Sequence, residues 1–265
     1  MAGVRDFRYK RAVRLRSPTT KTMSAKTDLP RLGDEPLTVA CVYRSGGRLY
    51  STRYVEVLRN MVKRNLTLPH RFVCLSDVED VPCERIPLVA NWPGFYSKIE
   101  LYRPGLFKGP VLYFDLDTVI HGNIDQLALT GMQSTFGCTS DPKGGHFNSS
   151  VVSFTVDCSF VFEEFSKTGA WIQNWHHHVW FTLRRVGLDG LIALGSSYGD
   201  QGFTEASLQK RGVPIVHLDT ALPGTISIYN YGGATTAEPP GSVCLMMGRP
   251  KPREIASGWV PQHWR

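Results

Sequence analysis

Pro110-Val111-Leu112-Tyr113-Phe114-Asp115-Leu116-Asp117 is the stretch on which the reading turns. Its first five residues suit a buried strand, and that strand runs without a break into two carboxylates. Asp is depleted in strands and costly to bury unpaired, so two of them here require a compensating cation. In extended chain, residues i and i+2 face the same side, roughly 6.6–6.8 Å apart, so both carboxylates can lean onto one divalent ion. Oxygen ligands of this kind suit Mn²⁺ or Mg²⁺, which would offset the charge of a diphosphate. The alternative is that Asp115 and Asp117 cap the following turn, Thr118 to Gly122.

Upstream, Leu37–Tyr43 is a short apolar run ended by Ser45-Gly46-Gly47, a strand followed by a glycine turn. Ser51 is placed to cap a helix in which Tyr54, Val57, Leu58, Met61 and Val62 recur at helical spacing. Arg71–Leu75 reads as a second strand, and a third is expected near Arg85–Val89. Phe95–Tyr102 reads as a helix stopped by Arg103-Pro104-Gly105. Strand and helix alternating in this way predict parallel pairing with right-handed crossovers. The carboxyl end of a central strand in such a sheet is where ligands bind.

Beyond Asp117 the pattern loosens. Thr135–Thr139 and Ser150–Thr155 read as strands around a polar loop. Cys158–Ser166, Trp171–Val186 and Gln201–Gln209 read as helices, and Ile215–Leu218, Ile226–Tyr229 and Val243–Met247 as short strands. The fold class is therefore α/β: a Rossmann-style, mostly parallel sheet flanked by helices, with a mixed carboxyl-terminal half. Residues 37–265 read as one domain and residues 1–36 as a basic, disordered leader.

The 265 residues are 42% hydrophobic and 11% aromatic, which excludes a disordered chain and allows one substantial core. No run approaches the roughly 18 apolar residues of a membrane-spanning helix, and the amino end lacks an apolar signal-peptide centre. A soluble, cytoplasmic protein is the expectation. Of the net charge of +7, residues 1–36 carry +5, from nine Lys/Arg against four Asp/Glu. That arm is either a docking segment for acidic lipid at the inner membrane face or nucleic acid, or a solvated leader, with Met23 a possible start. The nearly neutral remainder needs no nucleic-acid partner. The six cysteines form no Cys-x-x-Cys pair, so they suggest neither zinc nor redox chemistry, and Cys41, Cys74 and Cys244 read as reduced core thiols. His176-His177-His178 are consecutive, point about 100° apart on a helix and do not chelate together.

Phe114-Asp115-Leu116-Asp117 resembles the Asp-x-Asp motif of nucleotide-sugar glycosyltransferases with the GT-A fold, in particular the glycogenin and bacterial lipooligosaccharide galactosyltransferase group. Other landmarks follow that group's order. Tyr96-Ser97-Lys98-Ile99-Glu100-Leu101 precedes the aspartates. His146-Phe147-Asn148-Ser149-Ser150-Val151-Val152 is similar to its Phe-Asn-Ser-Gly-Val block, and Tyr198-Gly199-Asp200-Gln201 to its Asp-Gln element. Gly248-Arg249-Pro250-Lys251-Pro252 is similar to its terminal Gly-x-x-Lys-Pro, continued by Trp259–Trp264. The resemblance covers about residues 37–265.

The resemblance implies a metal-assisted transfer of a hexose from a nucleoside diphosphate sugar, UDP-linked, to the hydroxyl of a glycan, lipid or other acceptor, with retention of configuration. Asp115 would contact metal and donor ribose, and Asp117 metal. Lys98 and Lys251 would reach the diphosphate, and Asn148 the sugar hydroxyls. Asp200 and Gln201 would sit by the reacting carbon. Tyr43, ending the first strand, is a candidate to stack on the base, or else a core tyrosine. Asn148 could instead open a strand with an Asx turn, and Asp200 could be a helix N-cap. One departure stands out: the family's metal-binding histidine just before Gly248 is missing, and Met246-Met247 occupies the place. Methionine is a poor ligand for Mn²⁺ or Mg²⁺. A non-catalytic nucleotide-sugar binder is therefore the second reading. A phosphatase of the haloacid dehalogenase type also carries Asp-x-Asp-Thr. There the motif ends the first strand, whereas about eighty residues of strand and helix precede it here. Trp171 to Gly195, where the acceptor pocket is expected, carries no readable code.

Overall fold

Side chains alternate across the two central strands, and the two cores of the molecule follow from that alternation. The computed structural model describes residues 29–142, 145–167, 199–229 and 240–265. Its strands are β1 (Leu37–Tyr43), β2 (His70–Ser76), β3 (Glu84–Pro87), β4 (Val111–Phe114), β5 (Val119–Ile120), β6 (Phe136–Ser140), β7 (Phe147–Phe154), β8 (Ile215–His217), β9 (Ile226–Ile228) and β10 (Val243–Leu245). A seven-stranded sheet has the order β3-β2-β1-β4-β7-β6-β8, and β5-β10-β9 form a small second sheet. The first half pairs in parallel, β1 with both β2 and β4, as the alternation of elements predicts. Strand β7 runs antiparallel to β4 and β6, which makes the second half mixed.

Val39, Cys41, Tyr43, Leu112 and Phe114 face helix α1 (Thr52–Asn65), which buries Tyr54, Val57, Leu58 and Met61 against them. Ala40, Val42, Val111 and Tyr113 face the other way. There Ile99 and Tyr102 of a 3-10 segment (Gly94–Tyr102) pack with Phe165 of α3 (159–167) and Leu208 of α4 (Asp200–Lys210).

Several elements differ from expectation for identifiable reasons. The 94–102 segment is 3-10 rather than α, and in that geometry residues three apart eclipse, which puts Phe95 and Lys98 on one stripe. Helix α2 (Asp125–Gln133) was not expected, although Ile124, Leu127, Ala128 and Gly131 recur at helical spacing and are buried. At its start the Asp125 amide donates to Asn123 Oδ1 (2.9 Å), and the Asp125 carboxylate accepts both the amide and the hydroxyl of Thr67, at 2.7 and 2.5 Å. Ser51 precedes α1 without a side-chain cap bond. The expected boundary at residue 37 lies inside the packed body: the amide of Leu32 donates to Thr155 and that of Asp157 to Pro30, and Leu29 and Leu32 pack on the second core. The six cysteines are free, five of them buried. The readings at residues 171–186, and with them His176–His178 and the acceptor pocket, fall outside the described residues. Among the described residues no helix is long and apolar enough to cross a membrane.

Leu58 lies in α1 with no exposed surface. Leu58→Ala is expected to lower unfolding stability by about 2–5 kcal/mol, read as a reduced urea midpoint at unchanged slope.

Candidate active site at the carboxyl end of the central strand

The two aspartates leave the sheet rather than extend it. Strand β4 ends at Phe114. The amide of Asp115 still donates to Ser150 (2.8 Å), but the chain then turns, with the amide of Thr118 donating to the Asp115 carbonyl (3.1 Å). Asp115 and Asp117 are thus the first and third residues of a turn, not neighbours along one strand face. They still line one cavity of about 220 Å³, together with Tyr50, Asn148, Gln201, Met246, Met247 and Lys251.

Each carboxylate is held by one tyrosine and one lysine. Asp115 Oδ1 accepts from Tyr113 (2.6 Å) and from Lys98 Nζ (3.0 Å). Asp117 Oδ2 accepts from Tyr50 (2.8 Å) and from Lys251 Nζ. No backbone amide among the described residues donates to either, so the turn-capping alternative does not hold. Burial, with the charge of Asp115 adding to it, pushes the Asp117 carboxyl above its ordinary range, against the pull of Lys251 and Tyr50.

Lys98 is more committed than expected. Its ammonium donates to Ser149 Oγ at 2.6 Å and to Asp115 Oδ1 at 3.0 Å, and forms an ion pair with Asp200 Oδ2 at 3.3 Å. Burial lowers its pKa, but Asp115 and Asp200 outweigh that and raise it. A lysine set between two carboxylates acts as a counter-ion tying β4 to α4. Lys251 faces a single carboxylate. It bonds Asp117 and the Met246 carbonyl (3.3 Å), and its ammonium lies 5.7 Å from the Tyr50 ring centre. Its backbone is pinned by Glu254, which accepts from the Lys251 amide (2.8 Å) while its own amide donates back (2.8 Å).

Asp200 and Gln201 open α4 behind Gly199, whose φ is +70° and whose Cβ, if present, would lie 2.6 Å from the Phe95 ring. Gly199 is the N-cap, so Asp200 is free of that duty. Asp200 Oδ2 accepts from Ser149 (2.8 Å), and Gln201 Oε1 accepts from the Ser149 amide (2.8 Å). Burial raises the Asp200 carboxyl, with Lys98 and Ser149 pulling the other way. Ser149 reaches all three groups because β7 bulges here: the register against β6 jumps from Val152 to Asn148. Asn148 itself makes the Asx contact weighed above, its Oδ1 accepting from Ser150 N (2.9 Å) and Thr139 Oγ1 (3.1 Å). Its amide nitrogen makes no hydrogen bond among the described residues.

A larger cavity of about 660 Å³ adjoins the first, sharing Tyr50 and Asp115, and is walled by the 44–50 loop, Phe95 and Lys98. Asp77 holds that loop, accepting from the Ser45 amide (2.8 Å) and hydroxyl (2.6 Å). Tyr43 does not reach either cavity. It points with Cys41 into the α1 core, because Val42 takes the cavity face of β1; the core alternative describes it. The sequence reading passed over Tyr50, Tyr113 and Ser149. Tyr113, two residues before Asp115 on the same strand face, was the one with a usable signal.

By their own bonding, the two aspartates fit a divalent ion in part. Asp115 Oδ2 and Asp117 Oδ1 accept no hydrogen bond among the described residues, and both residues line the 220 Å³ cavity. The fit is partial: no group of three or more His, Cys, Asp or Glu gathers among the described residues.

No family model matches the sequence, and no curated protein matches it. Solved structures do. The glycosyltransferase GlyE of Streptococcus pneumoniae TIGR4 superimposes with a TM-score of 0.50 at 15% identity over 89% of this chain, which spans 59% of the GlyE chain. An active-site mutant of LgtC gives 0.52 at 12% identity, covering 85% of this chain and 93% of that one. The galactosyltransferase LgtC in complex with donor and acceptor sugar analogs gives 0.50 over the same shares. The chain thus has the GT-A-type fold of these glycosyltransferases, with the mostly parallel seven-stranded sheet as its shared frame.

Proposed function

We propose that the chain is a glycosyltransferase that moves a hexose from a UDP-linked donor to an acceptor hydroxyl with retention of configuration. One observation carries the reading: Asp115 and Asp117 meet Lys251, Asn148 and Gln201 around a single cavity, each aspartate keeping one oxygen unbonded among the described residues. The likeness in fold to LgtC bound to donor and acceptor sugar analogs supports the same class of ligand.

The charges support a bound cation. Asp115, Asp117 and Asp200 set three negative charges against the two positive charges of Lys98 and Lys251. A diphosphate entering that surplus is repelled unless a further cation offsets it. Mn²⁺ or Mg²⁺ held by Asp115 and Asp117 would supply Lewis-acid stabilisation of the departing diphosphate. Lys251 would add a charge-assisted bond that strengthens as negative charge develops on the leaving group. The 660 Å³ cavity suits the nucleoside, with the 44–50 loop and Phe95 around it. Asn148 would donate to sugar hydroxyls through its unoccupied amide. Gln201, its oxygen oriented by the Ser149 amide, would lie beside the reacting carbon. Asp200, locked to Lys98 and Ser149, orients this end of α4 and offers no free carboxylate as nucleophile.

Asp115→Asn and Asp117→Asn are each expected to lower turnover of UDP-sugar by about 100-fold or more, measured as UDP released with Mn²⁺ present. Undiminished turnover in both overturns the site. Donor binding with neither transfer nor hydrolysis in the unmodified protein favours the non-catalytic binder. Lys98→Met is expected to cost about 3–5 kcal/mol of stability in denaturant unfolding, because two buried carboxylates lose their counter-ion.

A further inference from the structure

Lys98 and Lys251 both neutralise an aspartate of the site, but only one of them is built to let go. Lys98 donates to Asp115 and Ser149 and is also ion-paired with Asp200, so moving it would leave two carboxylates without a counter-ion. Lys251 pairs with one carboxylate, Asp117, and a backbone carbonyl, and its side chain lies in the wall of the same 220 Å³ cavity as both aspartates. Its main chain is fixed between Pro250 and Pro252 and by the reciprocal bonds with Glu254, so any displacement falls to the flexible four-carbon stem. If the ammonium swings away, Asp117 Oδ2 keeps Tyr50 as a partner and the carboxylate stays oriented.

We propose that Lys251 is a place-holding cation. It occupies Asp117 in the free protein, competes there with a divalent ion, and is drawn off by a diphosphate, so that metal and diphosphate bind cooperatively. This rests on the donor reading above. The chain offers two carboxylates and no third acidic, histidine or cysteine ligand among the described residues, so an ion binding alone must displace or tolerate a lysine on one of its two ligands. With a diphosphate present, the ammonium finds a new anion and Asp117 gains capacity for the ion. Thermodynamic linkage makes the effect reciprocal: the diphosphate raises metal affinity by the same factor by which metal raises diphosphate affinity.

Calorimetric titration of the full chain tests this, using MnCl₂ alone, UDP alone with chelator, and each in the presence of the other. In the unmodified protein, UDP is expected to tighten Mn²⁺ binding about tenfold or more. In Lys251→Met, Mn²⁺ alone is expected to bind about tenfold tighter than in the unmodified protein. UDP alone should then bind more weakly, and the mutual enhancement should fall towards one. A lysine that merely props the structure, or one that only contacts phosphate, would not strengthen metal binding when removed. Mn²⁺ binding no tighter in Lys251→Met, or an enhancement that persists undiminished, overturns the proposal. Lys251→Gln, uncharged but still able to donate to Asp117, is the companion variant if circular dichroism finds the methionine variant unfolded, and the same outcomes decide it. Absence of UDP binding under every condition sinks the donor reading instead, while the metal-alone titration still decides the role of Lys251.

Discussion

A carboxylate taken out of water costs free energy unless charge or hydrogen bonds replace the solvent, and the chain gathers three at one edge of its sheet. Asp115, Asp117 and Asp200 come from a turn after β4 and from the first residue of α4, and two lysines from opposite ends of the sequence hold them. Lys98 joins β4 to α4 and the bulge of β7, and Lys251 brings the carboxyl-terminal segment onto the turn. Much of the surrounding structure serves this pairing. The 3-10 segment aims Lys98, the bulge aims Ser149, Gly199 lets α4 begin against Phe95, and Glu254 fixes the backbone of Lys251.

The two lysines illustrate how similar chemistry divides by environment. Both are largely buried and both contact a carboxylate, yet one lies between two carboxylates and the other faces one. That position makes Lys98 part of the scaffold, because moving it would strand two carboxylates at once. An ammonium that faces a single carboxylate from a flexible stem can trade one anion for another, since it keeps a charge-assisted bond throughout.

Strand β4 and the parallel first half were legible because apolar alternation and strand–helix order are local signals. Helix α1 could be read from Tyr54, Val57, Leu58, Met61 and Val62 for the same reason. Helix α2 carries the same kind of period in Ile124, Leu127, Ala128 and Gly131, but over nine residues only, and its Asn123-Ile124-Asp125 start reads equally as a turn. In the site, the aspartates stood out because carboxylates after an apolar strand are anomalous, and the ordered landmarks drew attention to Lys98, Asn148, Asp200, Gln201 and Lys251. Their bonding could not be read. What Lys98 bonds depends on a bulge 51 residues away that brings Ser149 to it. Tyr50 meets Asp117 across 67 residues, with nothing local to mark it. Tyr43 was misjudged by one step of strand parity, which turned a cavity position into a core position.

The missing third ligand before Gly248 gains a physical meaning from the same pairing. A site with three strong protein ligands would hold its ion whether or not a diphosphate were present, and a lysine beside it would be a spectator. With two carboxylates and a lysine already seated on one of them, affinity for an ion would depend on what else enters the cavity. Met247, 39% exposed on the cavity wall, offers no charge to change that balance. The weaker set therefore need not mean a lost function. Under the proposed function it would shift part of the work of holding the ion from the protein to the diphosphate, and it would tie occupancy of the site to the arrival of the phosphate-bearing ligand.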